Sequence, residues 1–344
     1  MNGTPTLSPL TIGARDVGPG APCYVIAEVG INHEGSVETC AKLIEQAAKA
    51  GADAVKLQTV DVDETYAPGT ESHTVFSAAE LTPEETGRMF EYGREIGIDV
   101  FTTAGDLTAL AWIEKLEPVA YKISSGLLTA LPIIRKTAAT GRPVLMSTGM
   151  ASPEDVDAAV DAARTAGGSQ IGLFQCTSLY PAPPETLNLR SIRWLSARYG
   201  VPVGFSDHSL GIEAAPLSVA AGAVMIEKHF SLDTGRPGFD HRISLNPDAF
   251  AAMIQAIRQT EAALGVDGMP LNETVAENAK RYLRTLAARR DLPAGTVLGA
   301  DDIGIMRLAP ENRGLAPVAF DGVVGRTLKS ARARYEPIRD EDLA

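Results

Sequence analysis

Two histidines, two strand-embedded lysines and a series of serines and threonines carry most of the chemistry this chain offers. His208 closes the segment GFSDHS and His229 the segment IEKHF, both at the ends of apolar runs. If those runs are neighbouring strands, the imidazoles lie about 5 Å apart. Two histidines with water and carboxylate in an open site suit a divalent Lewis acid of the Mn, Fe, Co or Zn type. The alternative is a pair of rim histidines bonded to backbone. His33 in GINHEG and His241 in GFDHR read as loop histidines, with simple solvation one reading of either, and His73 falls in a loop rich in Thr and Ser with no chemical role in view.

Lys56 and Lys122 lie inside apolar runs, where an ammonium is expensive to bury without an anion. Two inward lysines with Ser125, Ser147, Ser178 and Ser206 would make a cradle for a phosphate and a carboxylate. Salt bridges to Glu28 or Glu227 are the plainer alternative. Schiff-base chemistry on Lys122 is a third reading, since a strand lysine can act as a nucleophile toward a carbonyl.

The elements that would hold these groups alternate along the chain. Short apolar runs at 24–29, 52–57, 99–103, 119–123, 144–146, 171–174, 201–205 and 224–227 read as strands. Helical patterns at 36–50, 83–97, 107–116, 130–140, 153–166, 185–199, 211–221 and 247–264 follow them. In the first helix Cys40, Leu43, Ile44 and Ala47 share one face at a 3.6-residue period. Gly51, Gly97, Gly141, Gly200 and Gly222 stand where left-handed C-caps belong. Eight strand–helix units in about 245 residues predict a parallel (β/α)8 barrel rather than an open sheet, which would usually show GxGxxG after its first strand. Polar residues close nearly every run, and in a barrel the strand C-termini form the active face. After 264 the pattern breaks. A basic stretch with Lys280, Arg281, Arg284, Arg289 and Arg290 reads as helical, and a turn-rich β segment follows. The expected organisation is a barrel domain over 1–268 with an N-terminal extension at 1–22, a linker at 269–283, and a small domain over 284–344.

Composition narrows the class. With 43 acidic against 31 basic residues the net charge is −12, and no basic block interrupts it, so neither nucleic acid nor an anionic membrane surface is an expected partner. Any anionic ligand must then be met by a few local cations. Three cysteines without zinc or CxxC spacing indicate a reduced, cytoplasmic protein without a disulfide framework. No apolar stretch reaches membrane-spanning length, and residues 1–22 lack a signal-peptide core.

The segments YVIAEVGINHEGS, AGADAVKLQT, AYKISSG, PVLMSTGM, CTSLYPAP, GFSDHS and IEKHFSLDTGRPGFDH, in this order, resemble the sialic acid synthase family. LPAGTVLGADDIGIMR in the tail is similar to its antifreeze-like (SAF) domain. The resemblance spans almost the whole chain. It implies a (β/α)8 TIM barrel joined to a small β-rich SAF domain, and condensation of phosphoenolpyruvate (PEP) with an N-acyl hexosamine-like aldehyde sugar. By motif, it implies a PEP site of Lys56, Thr103, Lys122, Ser125, Ser147, Ser178 and Ser206, with Glu28 and Asp240 joining the two lysines in catalysis. Gln58, Tyr180, Asp240 and Arg307 would meet the acceptor. A divalent metal, Mn2+ ahead of Mg2+ or Co2+, would sit on His208 and His229. The family further implies a domain-swapped homodimer in which Arg307 reaches the partner's barrel.

Two departures affect the acceptor half. Leu127 stands where the family usually has a glutamate that contacts the sugar, and Gln175 where it commonly has a histidine. The sequence MRLAPENRGLAP also differs from the usual arginine loop, so Arg313 competes with Arg307 for its role. The rival expectations are a Schiff-base pyruvate aldolase, a PEP synthase using another aldehyde or a phosphorylated sugar, and a non-catalytic carbohydrate-binding relative.

Overall fold

Eight parallel strands close into a barrel in the computed structural model, which describes residues 7–266 and 268–344. A hairpin of β1 (Thr11–Ile12) and β2 (Arg15–Asp16) precedes them. The barrel strands are β3 (Tyr24–Gly30), β4 (Ala54–Thr59), β5 (Asp99–Ala104), β6 (Tyr121–Ile123), β7 (Val144–Ser147), β8 (Ile171–Cys176), β9 (Val203–Asp207) and β10 (Met225–His229). They pair in chain order, and β10 closes on β3 with Ile226 opposite Val25 and His229 opposite Glu28.

The outer ring begins with α1 (Val37–Lys49), whose N-cap Ser36 accepts from the Thr39 amide. After β4 come α2 (Val62–Thr65), α3 (Glu71–Ala79) and α4 (Pro83–Ile96). The ring continues with α5 (Leu107–Ile113), α6 (Leu131–Ala138), α7 (Pro153–Thr165), α8 (Ser191–Tyr199), α9 (Ala214–Ala220) and α10 (Pro247–Leu264). All five glycines expected as C-caps have positive φ, from 65° at Gly200 to 107° at Gly222. The apolar outer faces of the strands and the inner faces of these helices make the main core.

A second core fills the barrel's lower half. Tyr24, Ile26, Ala54, Phe101, Leu145, Phe174 and Met225 alternate inward along their strands and meet Leu10, Ile12 and Val17 of the N-terminal extension. Residues 10–17 therefore form a plug under the barrel. The Thr11 amide anchors it by donating to Gln170 Oε1 at 2.8 Å.

Several elements differ from the sequence reading. His73 lies on α3, not in a loop, because Thr70 caps that helix by accepting from the His73 amide. Its ring meets Asp63 at 3.0 Å. The expected helix over 185–199 is a single 3-10 turn at Pro184–Thr186 and then α8. Pro183 and Pro184 lack amides to donate, and Asn188 turns left-handed at φ 43°. Strand β10 runs on to His229, with Lys228 in register opposite Asp207 of β9 and His229 opposite Glu28 of β3.

The chain divides between Gly265 and Val266 into two compact units. The second contains α11 (Glu273–Tyr282), an antiparallel pair of β11 (Thr285–Ala288) with β12 (Ile303–Met306), and α12 (Phe320–Val323). The basic stretch is thus helical only to Tyr282, and Arg284, Arg289 and Arg290 flank β11. Leu286, Leu292, Leu298, Ile303, Leu328, Ile338 and Leu343 form this unit's own core. No helix among the described residues is long and apolar enough to cross a membrane.

Truncating the plug tests its place in the core. Ile12→Ala should lower unfolding free energy by about 2–4 kcal/mol, read by chemical denaturation. A loss below about 0.5 kcal/mol would contradict its burial under the barrel.

Candidate active site

The strand period of two sorts the polar residues at the barrel top into two sets. Inward, above the apolar layers, stand Glu28, Lys56, Gln58, Lys122, Ser147, Cys176, Ser206, Glu227 and His229. With Ser124, Ser125, Gly126, Met150, Ser178, Tyr180 and His208 they line a cavity of about 260 Å³. Thr103 borders it, accepting from Lys56 Nζ at 3.4 Å. Outward, buried in the barrel wall, lie Thr102, Gln175, Asp207 and Lys228. Thr102 donates to the Leu57 carbonyl, and Gln175 to the Leu187 carbonyl. A polar strand end is therefore not by itself a site residue.

At the cavity floor two ammoniums and two carboxylates alternate. Lys56 Nζ lies 3.0 Å from Glu28 Oε1 and 3.7 Å from Glu227 Oε2. Lys122 Nζ lies 3.6 Å from Glu227 Oε1 and donates to Ser147 Oγ at 2.6 Å, 5.4 Å from the Phe174 ring centre. Gln58 donates to Glu28 Oε1 at 2.7 Å, and Ser206 to Glu227 Oε1 at 2.9 Å. The salt-bridge alternative for the lysines is thus realised, inside the same opening that the anion-cradle reading requires. Glu227 was missing from the expected site residues. Its signal was available, since it stands two positions from His229 on one strand and so shares its face.

This arrangement sets the protonation states. Burial, reinforced by the Glu227 charge, raises Glu28 to about 7 despite the opposing pull of Lys56. Burial also works against the Glu227 carboxylate, yet Lys122 and Lys56 hold it below its ordinary value. Lys56 is held above the usual lysine value because Glu227 and Glu28 outweigh its burial. Burial leaves Lys122 below it, with Glu227 opposing and the Lys56 charge adding to the fall. One oxygen of each carboxylate, Oε2, has no hydrogen-bond partner.

Above the floor, Ser125, Ser178 and Cys176 crowd around Gly149. A Cβ there would meet Ser178 Oγ at 2.5 Å and Ser125 Oγ at 2.8 Å. The Gly149 amide donates to Ser125 Oγ at 3.0 Å, and Ser178 Oγ is buried without a partner. Beside them, with His208 Nδ1 3.8 Å from Cys176 Sγ, the His208 and His229 rings are 5.3 Å apart, and the Tyr180 ring lies 4.3 Å from His208. His208 Nδ1–H donates to the Thr177 carbonyl at 2.8 Å, which leaves Nε2 free. His229 Nδ1 is buried without a hydrogen-bond partner, 3.6 Å from Asp240 Oδ2. Burial and the neighbouring cations keep His229 well below its usual value, so its imidazole is neutral and able to ligate. Among the described residues no three His, Cys, Asp or Glu side chains converge on one point. A metal held here would take two protein ligands from the imidazoles and would leave its other positions to water and substrate.

Other expectations are displaced. His33 and His241 are buried, not solvated. His33 Nδ1 accepts from the Gly35 amide, and burial lowers its ring to about 4. His241 bridges Ser231 Oγ at 2.7 Å and Glu34 Oε1 at 2.9 Å. Leu127 packs against the outer core, and like Gln175 it does not line the cavity. In the second unit Arg307 lies over the Tyr282 ring at 5.0 Å, and the Arg313 carbonyl accepts from Arg339.

Comparison with known proteins follows this geometry. The NeuB family matches residues 43–268 and the SAF domain residues 284–344. An uncharacterized Methanocaldococcus jannaschii protein, MJ1065, is 37% identical over 337 residues, covering 97% of this chain and 98% of its own. N,N'-diacetyllegionaminic acid synthase of Legionella pneumophila is 31% identical over 334 residues, 92% of this chain and 93% of its own. The crystal structure of an N-acetylneuraminic acid (sialic acid) synthetase from Leptospira borgpetersenii, in complex with citrate, superimposes with a TM-score of 0.76 at 29% identity, over 80% of this chain and 96% of that one. The barrel, its matched motifs and the C-terminal unit agree, and the chain belongs to the NeuB family, carrying a SAF domain at its C-terminal end.

Proposed function

We propose that this chain is a PEP-dependent synthase that adds a pyruvyl unit to an N-acyl hexosamine-like aldehyde, giving a sialic acid-like 2-keto-3-deoxy acid and phosphate. The sialic and legionaminic acid synthases among its relatives support the reaction class. The observation that carries the reading is one cavity shared by Lys56, Lys122, a cluster of serines and two facing imidazoles.

PEP is a trianion near neutral pH. Lys56 and Lys122 attract it, while Ser125, Ser147, Ser178 and Ser206 offer hydroxyls to its oxygens. Each lysine is already matched by Glu227 or Glu28, so the incoming charge is not offset by the floor alone. Protonation of Glu28, already raised to about 7, relieves part of the excess. A divalent cation on His208 and His229 would relieve more and would polarise the acceptor aldehyde.

C3 of PEP attacks the aldehyde carbon, forming the new C–C bond. Protonated Glu28 gives its proton to the developing alkoxide. The carboxylate left behind faces the cationic C2 and stabilises it. Water adds to C2 and returns a proton to Glu28. The tetrahedral centre then collapses to a ketone as its C–O bond to phosphate breaks, and the C2 hydroxyl proton leaves with the phosphate. Gln58, Tyr180 and Asp240 surround the mouth where the acceptor would stand, and Arg307 of a partner chain would cover it. Neither Leu127 nor Gln175 lines the cavity, so both departures leave its lysine and serine set intact.

Lowered basicity at Lys122 keeps one rival specific, a pyruvate aldolase working through a Schiff base. A phosphate-release assay with PEP, Mn2+ and a panel of N-acyl hexosamines separates the two. The wild type should release phosphate, and Lys122→Met should lose at least about 10³-fold. A pyruvate adduct trapped by borohydride on Lys122, with no phosphate released, would overturn the assignment.

The pH profile tests Glu28. Turnover should fall at alkaline pH with an apparent pKa above about 7, because the acid form starts the cycle and the bound trianion holds its proton more firmly. Glu28→Gln should lose about 10²–10³-fold in kcat and flatten that limb. A limb that persists unchanged in Glu28→Gln would assign the proton to another group.

A further inference from the structure

The residue beside each cavity histidine faces the opposite way, and the two meet. Asp207 precedes His208 on β9, Lys228 precedes His229 on β10, and the two are paired in register. Both side chains are fully buried, with Lys228 Nζ 2.9 Å from Asp207 Oδ2. The other oxygen, Asp207 Oδ1, accepts from the Ser209 amide at 2.8 Å and from Ser209 Oγ at 2.6 Å. Lys228 Nζ also donates to the Ser209 carbonyl at 2.5 Å. These contacts close a ring around the turn 207–209, whose middle residue is His208.

Such a pair is a poor source of stability. Removing two charges from water offsets most of their attraction, and apolar residues of similar volume often replace a buried ion pair without loss. What the pair does supply is geometry. It fixes the backbone on both sides of His208, whose ring is then held by the Thr177 carbonyl. It also ties the end of β9 to the residue adjoining His229. We propose that Asp207, Lys228 and Ser209 are positioning residues that set the separation and aim of the His208 and His229 imidazoles. This rests on the metal-binding reading of those histidines given above. The three residues touch neither substrate nor metal and act only through the turn.

The test is titration of Mn2+ into metal-free protein by calorimetry, with thermal unfolding in EDTA followed in parallel. The proteins are wild type, His208→Ala, the double variant Asp207→Leu/Lys228→Met, and Ser209→Ala. The double variant removes both charges together, so no unpaired buried ion is left. It should keep a melting temperature near that of wild type yet bind Mn2+ about 10–100-fold more weakly, the usual effect of losing support behind a metal ligand. Ser209→Ala should weaken binding several-fold. Should the double variant not fold, Ser209→Ala decides. If His208→Ala binds Mn2+ as tightly as wild type, the metal reading itself fails. If His208→Ala loses binding while the folded pair variant, or Ser209→Ala in its place, binds as wild type does, the positioning role is overturned.

Discussion

Four charges buried on one barrel floor constrain everything around them. Lys56, Glu28, Glu227 and Lys122 are all nearly inaccessible to water, and each would be costly there without the others. They hold together because four strands present them at one level, above the apolar layer that fills the lower barrel. Pairing leaves the set close to neutral, with one oxygen of each carboxylate lacking a hydrogen bond. Burial wins over attraction at Glu28 and loses to it at Glu227. The two carboxylates therefore differ in proton affinity and can take different roles, one exchanging a proton and the other staying ionised.

The same strands serve a second purpose on their outer faces. Alternation sends His229 and Glu227 into the cavity and Lys228 into the wall, so a run of three polar residues divides between chemistry and support. Asp207 and His208 divide likewise. A barrel rim is well suited to this, because each functional side chain has a neighbour one position away that faces a packed interior.

Much of this was legible in the sequence. Eight apolar runs with Gly-terminated helices dictated the closed sheet, since a parallel barrel needs both strand faces covered. The motifs marked the family, and with it the lysines, serines and histidines now found on one cavity. Less legible was which polar residue at each strand end faced inward. The run 224–227 stops on apolar content short of Lys228 and His229, so its alternation does not show Glu227 and His229 sharing the inward face, and Glu227 stands in the sequence only as a salt-bridge partner for the lysines. The α2–α3 segment was missed because its signal lies in Asp61 and Thr70 caps, not in an apolar stripe. Burial of His33 and His241 depends on loops from distant parts of the chain meeting, which local pattern does not encode.

In the proposed reaction PEP binds to a floor whose lysines are already paired, and Glu28 takes up a proton to admit it. Calorimetry of PEP binding at about pH 8, in buffers of different ionisation enthalpy, measures that proton directly. Uptake should approach about one proton per site in the wild type and be absent in Glu28→Gln. Binding with no proton exchange in the wild type, or with equal uptake in the variant, would contradict it.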